Sequence, residues 1–324
     1  MTKLGSPPAS SVNDLANRIL AGERRAIAHA LTEVERQSAA SASLLKSLQA
    51  HLGRAATVGF TGPPGAGKST LVDACVRALR ETGRSVGVIA VDPSSPLSGG
   101  AILGDRIRMT SALNDDGVFV RSLAARGHLG GLTPAAVRMI DIMDAAGFDI
   151  ILLETVGTGQ SEIDIAEVTD VRIVVSAPGL GDGIQAMKAG LLEIADVLVV
   201  NKSDREGAER THQQLSAALT HRLDGTASTP VLKTTATTGE GVRELLSAID
   251  AVASPRLAIA PQQRRRKRAR YLIARAAAEL ISAEIKRAET GRIDTLSDGV
   301  LDGSLSATDA AASLIGARST PDPG

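Results

Sequence analysis

The sequence predicts an α/β fold: a mostly parallel, doubly wound sheet with helices before and after it. Three observations predict it. From residue 55 to about 250, short apolar runs alternate with helical stretches, the element order that builds parallel sheets. The runs lack the apolar–polar alternation of a half-buried strand, as suits strands covered on both faces. The stretch GFTGPPGAGKSTL, residues 59–71, is a Gly- and Pro-rich loop between the first run and a helix.

Residues 1–10 are polar and Pro-containing and are expected to be disordered. Over 11–52, Leu15, Ile19 and Leu20, then Ile27, Leu31 and Val34, then Leu44, Leu45 and Leu48 fall at helical spacing. Strands are expected at 56–61, 85–91, 117–122, 149–154, 171–176, 196–201 and 230–235. After Pro255 the character changes to a long helix with a basic start and apolar positions Leu272, Ile273, Leu280, Ile281 and Ile285. A last helix is expected from about Ala307 to Ile315, capped by Ser306 with Asp309 three residues on. The expected division is 1–52 helical extension, 53–252 sheet domain and 253–324 C-terminal helical arm.

The 324 residues suffice for one large α/β domain with flanking helices. Lys+Arg and Asp+Glu are both 36, a balance that argues against an obligate nucleic-acid binder. The basic run 264–270 reads as a solvated helix face. The one cysteine, Cys75, excludes an internal disulfide framework and a Cys-rich metal site, and its helical spacing from Leu71 and Leu79 places it in the core. The histidines, His29, His51, His128, His212 and His221, do not cluster at ligand spacing. Without an apolar leader or a run of 18 apolar residues, the expectation is a soluble cytoplasmic protein with no membrane contact.

The chemistry concentrates at strand ends. Gly62, four residues, then Gly67, Lys68 and Ser69 match G-x-x-x-x-G-K-[ST]. The nucleotide-binding candidates are Gly62, Pro63, Pro64, Gly65, Ala66, Gly67, Lys68, Ser69 and Thr70, a loop of Gly and Pro that would present its non-proline backbone N–H groups to phosphate oxygens at the positive end of a helix. Lys68 would reach the β- and γ-phosphates, and Ser69 would ligate Mg²⁺. The stretch VVNKSDREG, 199–207, reads N-K-x-D after an apolar run. A carboxylate there accepts from guanine N1–H and the exocyclic amine, donors that adenine lacks as a pair. Asn201, Lys202 and Asp204 are therefore the base-reading candidates, with Asp204 deciding for guanine. In TTATTGEG, 234–241, Ala236 is placed to offer its N–H to guanine O6. Asp92 and Glu154 close two further strands, where open α/β sheets bind ligands, and either can hold Mg²⁺ directly or through water. Gly157 follows Glu154 as in D-x-x-G with Glu for Asp, and would bond the γ-phosphate. Asp105 lies on a Gly-rich loop able to close on Mg²⁺ or the attacking water.

These residues together resemble the methylmalonyl-CoA mutase-associated GTPase family, the MeaB/ArgK type of P-loop metallochaperone GTPases. The similarity runs over about 55–205 in blocks: GPPGAGKST, VDPSSPLSGGAILGDRIRM, RGHLGGLT, ETVGTGQSE and GLLEIADVLVVNKSD. The resemblance implies a P-loop GTPase fold with an N-terminal helical extension and a C-terminal dimerisation arm, hence a homodimer. It implies a slow GTPase, with GTP as substrate and GDP as product. The GTPase would gate cobalamin loading and protect an adenosylcobalamin-dependent acyl-CoA mutase, whose binding accelerates it. Cobalamin is not expected as its own cofactor. By motif position Lys68, Asp92, Asp105 and Glu154 take the Mg²⁺ and phosphate roles. The family's partner switch, P-G-x-G-D-E-L-Q-G-I-K, appears here as PGLGDGIQAMK, residues 178–188. Asp182, Gln185 and Lys188 are kept, whereas Gly183-Ile184 and Ala186-Met187 differ. RSLAARGHLGG also lacks the family's Pro-Ser-Pro run.

Other classes make different demands. A P-loop kinase or ATPase acting on a small molecule or protein predicts ATP preference, against Asp204. A nickel-delivery GTPase wants a His-rich tract or a Cys/His pair near the switch, and neither is in the sequence. An RNA-binding module using 264–270 leaves the phosphate loop without a role.

Overall fold

The computed structural model describes residues 9–92, 115–124, 132–155, 161–180, 189–220, 229–287 and 291–316. The chain divides into two compact units, Met1–Arg268 and Ala269–Gly324.

The first unit opens with three helices, α1 (Ala9–Leu20), α2 (Arg24–Glu35) and α3 (Ala39–Leu48). A sheet of seven parallel strands follows: β1 (Ala56–Thr61), β2 (Val86–Asp92), β3 (Val118–Ala124), β4 (Ile150–Thr155), β5 (Val171–Ser176), β6 (Val197–Asn201) and β7 (Val231–Thr234). Between and after them lie α4 (Lys68–Glu81), α5 (Pro134–Ala145), α6 (Ser161–Val168), α7 (Ala189–Ile194), α8 (Ala208–Thr220), α9 (Val242–Leu257) and the start of α10 (Pro261–Arg287). The doubly wound parallel sheet expected from the apolar runs is present. Its order is β3-β2-β4-β1-β5-β6-β7. The chain winds to one side of β1 through β4, then crosses to the other side at β5. The carboxyl end of β1 is therefore where the winding reverses, the place where such sheets hold ligands.

Alternate residues of each strand enter opposite layers. Val58 and Phe60 of β1 join Leu71, Cys75 and Leu79 of α4 and Leu245 and Ile249 of α9 in one core. Cys75 is fully buried there, and burial pushes its thiol up to about 12, so it packs as a small apolar group, as its spacing indicated. On α2, Ile27, Leu31 and Val34 are buried, the stripe read from the sequence. The same helix caps the edge strand: Arg24 Nη1 donates to the carbonyls of Asp116 (3.1 Å) and Val118 (2.8 Å). Edge groups satisfied in this way are closed to pairing with another chain.

The basic run 264–270 is not simply a solvated face. The side chains of Arg264 and Arg268 are 6% and 9% exposed. Arg268 Nε donates to Val168 O at 2.8 Å and its Nη2 to Thr57 Oγ1 at 3.0 Å, while Arg264 pairs with Asp170 at 3.3 Å. Asp170 in turn accepts from the Thr57 N–H at 2.9 Å. Residues four apart share a helix face, so Arg264 and Arg268 point inward while Arg266 and Arg270 stay exposed. Composition alone carries no information about that division.

A second ionic group ties β5, β6 and α9. Asp196 accepts from Arg172 (2.7 and 2.7 Å) and from Arg256 (2.8 and 2.6 Å). Burial would raise the Asp196 carboxyl, but the hydrogen bonds from Arg256 and Arg172 outweigh it and hold it at about 2. A depressed folded-state value contributes stability above the unfolded-chain value, and that stability is lost as pH falls through the folded value. Asp196→Asn is therefore expected to cost about 2 kcal/mol in urea unfolding at neutral pH. The gap should close between about pH 4 and pH 2, and a gap independent of pH would contradict this account.

The second unit holds the rest of α10, then α11 (Gly291–Leu301) and α12 (Ala307–Gly316). The Ser306 cap is present: its hydroxyl accepts the Asp309 N–H at 3.0 Å and donates to the Asp309 carboxylate at 2.6 Å. Helix α11 was not anticipated from the sequence. Pro255, taken as the point where the character changes, lies inside the last turn of α9. Among the described residues no helix is long and apolar enough to cross a membrane.

Candidate nucleotide site

β1 delivers the chain into the loop 62–67, and α4 begins at Lys68. Two glycines are required by geometry. Gly62 has φ 137, and a Cβ there would lie 2.0 Å from Val175 O. Gly67 caps α4 at φ 87, where a Cβ would lie 2.5 Å from Asn201 Nδ2. Only glycine meets both the conformation and the space. Lys68 is 7% exposed, and its ammonium lies inside the loop, donating to Gly62 O at 2.8 Å and Pro63 O at 3.1 Å. At the second residue of the helix, the Ser69 hydroxyl donates to Glu154 Oε1 at 2.6 Å. Glu154 is 5% exposed and stands on β4 in register with Phe60 of β1 and Ala90 of β2.

The other half of the site lies at the ends of β6 and β7. Asn201 is buried and joins three segments. Its Nδ2 donates to Ala66 O at 2.9 Å, and its Oδ1 accepts from Thr234 Oγ1 (3.1 Å) and the Ala236 N–H (3.2 Å). Lys202 takes φ 57 and reaches back to Gly65 O at 2.7 Å. A pocket of about 110 Å³ opens beside these residues, lined by Gly67, Thr70, Asp204, Arg205, Ala236 and Thr237 among others. Asp204 is exposed toward it.

The structure thus brings Gly62–Thr70, Glu154, Asn201, Lys202, Asp204 and Ala236 to one end of the sheet. The backbone of Asp92 ends β2 at the same edge, next to Thr155 of β4 through Val91. The Ala236 N–H is engaged by Asn201 Oδ1, so a contact with a base would be shared with that bond. Asp105, Gly157, Asp182, Gln185 and Lys188 lie outside the described residues. Ser203, Thr234, Thr235 and Arg205 were not anticipated. The run of threonines directly after the last strand was the available signal.

A Mg²⁺ ion fits the donor set. It needs few protein oxygens, with waters and phosphate oxygens completing its shell. Ser69 Oγ and Glu154 Oε1 are two hard oxygen donors already in contact at a helix start. Among the described residues no group of three or more His, Cys, Asp or Glu is arranged to hold a metal ion.

A family model described as methylmalonyl Co-A mutase-associated GTPase MeaB matches residues 26–290. A Pyrococcus horikoshii protein named as a GTPase is 49% identical over 238 residues, 72% of this chain and 75% of its own. The Escherichia coli GTPase ArgK is 44% identical over 191 residues, 58% of each chain. The mouse methylmalonic aciduria type A homolog, mitochondrial, is 36% identical over 253 residues, 72% of this chain and 61% of its own. Among solved structures, a crystal structure titled LAO/AO transport system kinase matches with a TM-score of 0.73 at 28% identity, over 96% of this chain and 98% of that one.

Proposed function

The chain belongs to the methylmalonyl-CoA mutase-associated GTPase family, and from that premise we propose that it is a GTP-hydrolysing chaperone. In this reading it gates cobalamin loading and protects an adenosylcobalamin-dependent acyl-CoA mutase, methylmalonyl-CoA mutase being the first candidate client. The observation that supports the nucleotide part best is the Asn201 side chain, which ties the phosphate loop at Ala66 to the base loop at Ala236. One nucleotide then spans both, phosphates on the loop 62–69 and base beside Asp204.

The reaction is attack of water on the γ-phosphate, giving GDP and inorganic phosphate. The loop N–H groups and the α4 terminus orient the phosphates. The Lys68 ammonium, held by Gly62 O and Pro63 O, meets the charge that develops on the transferring group. Ser69 and Glu154, with Asp92 and Asp105, would hold Mg²⁺. When bound, the ion would supply neutralisation of the phosphate charge. Gly157 is assigned to the γ-phosphate by its spacing from Glu154. Glu154→Gln keeps an acceptor for Ser69 and removes the charge. It is expected to raise the Mg²⁺ concentration for half-maximal phosphate release by about tenfold or more, and an unchanged Mg²⁺ titration would remove Glu154 from the metal set.

The second unit supports a homodimer. Ile273, Leu280, Ile285, Val300 and Leu301 are 69%, 63%, 42%, 39% and 84% exposed, and large apolar residues so exposed are usual where another surface covers them. Sedimentation of the 33.3 kDa chain as a monomer would count against it.

In this reading the partner switch is residues 178–188, which follow β5 in the sequence. Its root is close to the phosphate loop: a Cβ on Gly65 would lie 3.6 Å from Leu180 Cδ2. The test is phosphate release from GTP with and without the mutase of the same organism. Gln185→Ala and Lys188→Ala are expected to keep basal hydrolysis and lose most of the stimulation. Equal loss of both activities would make the segment a structural support, and no stimulation by any cobalamin mutase would sink the chaperone reading.

A further inference from the structure

We propose that Ser203, the third residue of N-K-S-D, is a positioning residue that fixes Asp204 for guanine recognition by clamping it to the loop after β7. The Ser203 and Thr235 hydroxyls lie 2.9 Å apart, and the Ser203 N–H donates to Thr234 O at 3.0 Å. Side chain and backbone of one residue therefore join the ends of β6 and β7.

The receiving side is itself held. Thr235 is 2% exposed. Its N–H donates to Glu240 O at 3.0 Å, and its carbonyl accepts from Thr238 (3.1 Å) and Gly239 (2.9 Å). Thr235 lines the same pocket as Asp204 and Ala236. The left-handed φ of 57 at Lys202, uncommon for a residue with a Cβ, sends consecutive side chains apart. Lys202 goes to the phosphate loop, Ser203 to Thr235 and Asp204 to the pocket. An exposed carboxylate has rotamers to lose, and its backbone is held by the residue beside it. Ser203→Ala would keep the backbone bond and lose the hydroxyl bond.

The proposal rests on Asp204 as the guanine reader, and the experiment separates the two. Dissociation constants for GDP and IDP are measured on the full chain; inosine lacks the exocyclic amine, so a carboxylate finds one donor instead of two. Ser203→Ala is expected to weaken GDP roughly threefold to tenfold, the range of one net hydrogen bond. IDP should weaken less, so the preference for GDP shrinks. Ser203→Thr retains a hydroxyl and should retain the preference. Thr235→Val should reproduce the loss, and the double variant should add little, as coupled partners do. If Ser203→Ala does not fold, Thr235→Val carries the same comparison. An unchanged GDP-to-IDP preference in the folded variant would overturn the clamp, whatever the change in affinity. Asp204→Asn measured with XDP is the control: if it gains nothing there, the base-reading assignment fails; if it gains while Ser203→Ala keeps its preference, only the clamp fails.

Discussion

Lys68→Ala is expected to lower GTP turnover by about a thousandfold, with the fold retained by circular dichroism. The loss of one preorganised donor aimed at developing charge costs about a hundredfold to a thousandfold, and here the donor carries a full charge. Its setting strengthens the effect. Lys68 is 7% exposed, and two carbonyls of the loop, Gly62 O and Pro63 O, already orient its ammonium. No reorganisation is then needed when the phosphate charge grows. Lys68→Arg should rescue little, since a planar guanidinium does not replace a compact ammonium in a closed loop. Phosphate release at saturating GTP and Mg²⁺ is the measurement. A loss smaller than about tenfold would mean that Lys68 only supports the loop.

Asp204→Asn is expected to move base preference from guanine toward xanthine. The carboxylate offers acceptors to guanine N1–H and the exocyclic amine; the amide replaces one acceptor with a donor. Guanine then faces a donor–donor clash, and xanthine, with a carbonyl in place of the amine, gains a partner. A mismatch of this kind costs about 1–3 kcal/mol. GTP affinity should fall and XTP affinity rise by roughly tenfold each, a change in preference of about a hundredfold. Asp204 is exposed, so the substitution is not expected to disturb the core. Equilibrium titration with both nucleotides reads the result, and an unchanged GTP affinity would withdraw Asp204 from the site.

Much of the site was legible because its chemistry is local in sequence. The phosphate loop needs glycines, a lysine and a serine at set spacing across one strand–loop–helix passage, and that passage folds as β1, the loop and α4. N-K-x-D is likewise one turn after one strand. The strands were legible because a parallel sheet buried on both faces demands uninterrupted apolar runs. Helix α11 was not, because GRIDTLSDGVL carries two glycines, and its apolar positions Ile293, Leu296 and Val300 span only two turns. Pro255 misled in the same way: proline marks helix ends by preference, yet α9 continues through it for two further residues.

The sequence by itself determined the fold class, the Gly-rich loop between β1 and α4 and the N-K-x-D turn after β6, since each depends on spacing along a few consecutive residues. Only the tertiary structure decided which distant residues complete them. Asn201 reaches Ala66 O across 135 positions, Glu154 meets Ser69 across 85, and Ser203 meets Thr235 across 32. Those pairings follow from the strand order, which sets β4 and β5 beside β1 and β6 beside β7. The same holds for Arg264 and Arg268. A charge run tells which residues prefer water, but Asp170 and Thr57 at the strand ends make burial of these two favourable. A hydrogen bond or ion pair is decided by distance in space, and distance in space between remote segments exists only once the sheet has been assembled.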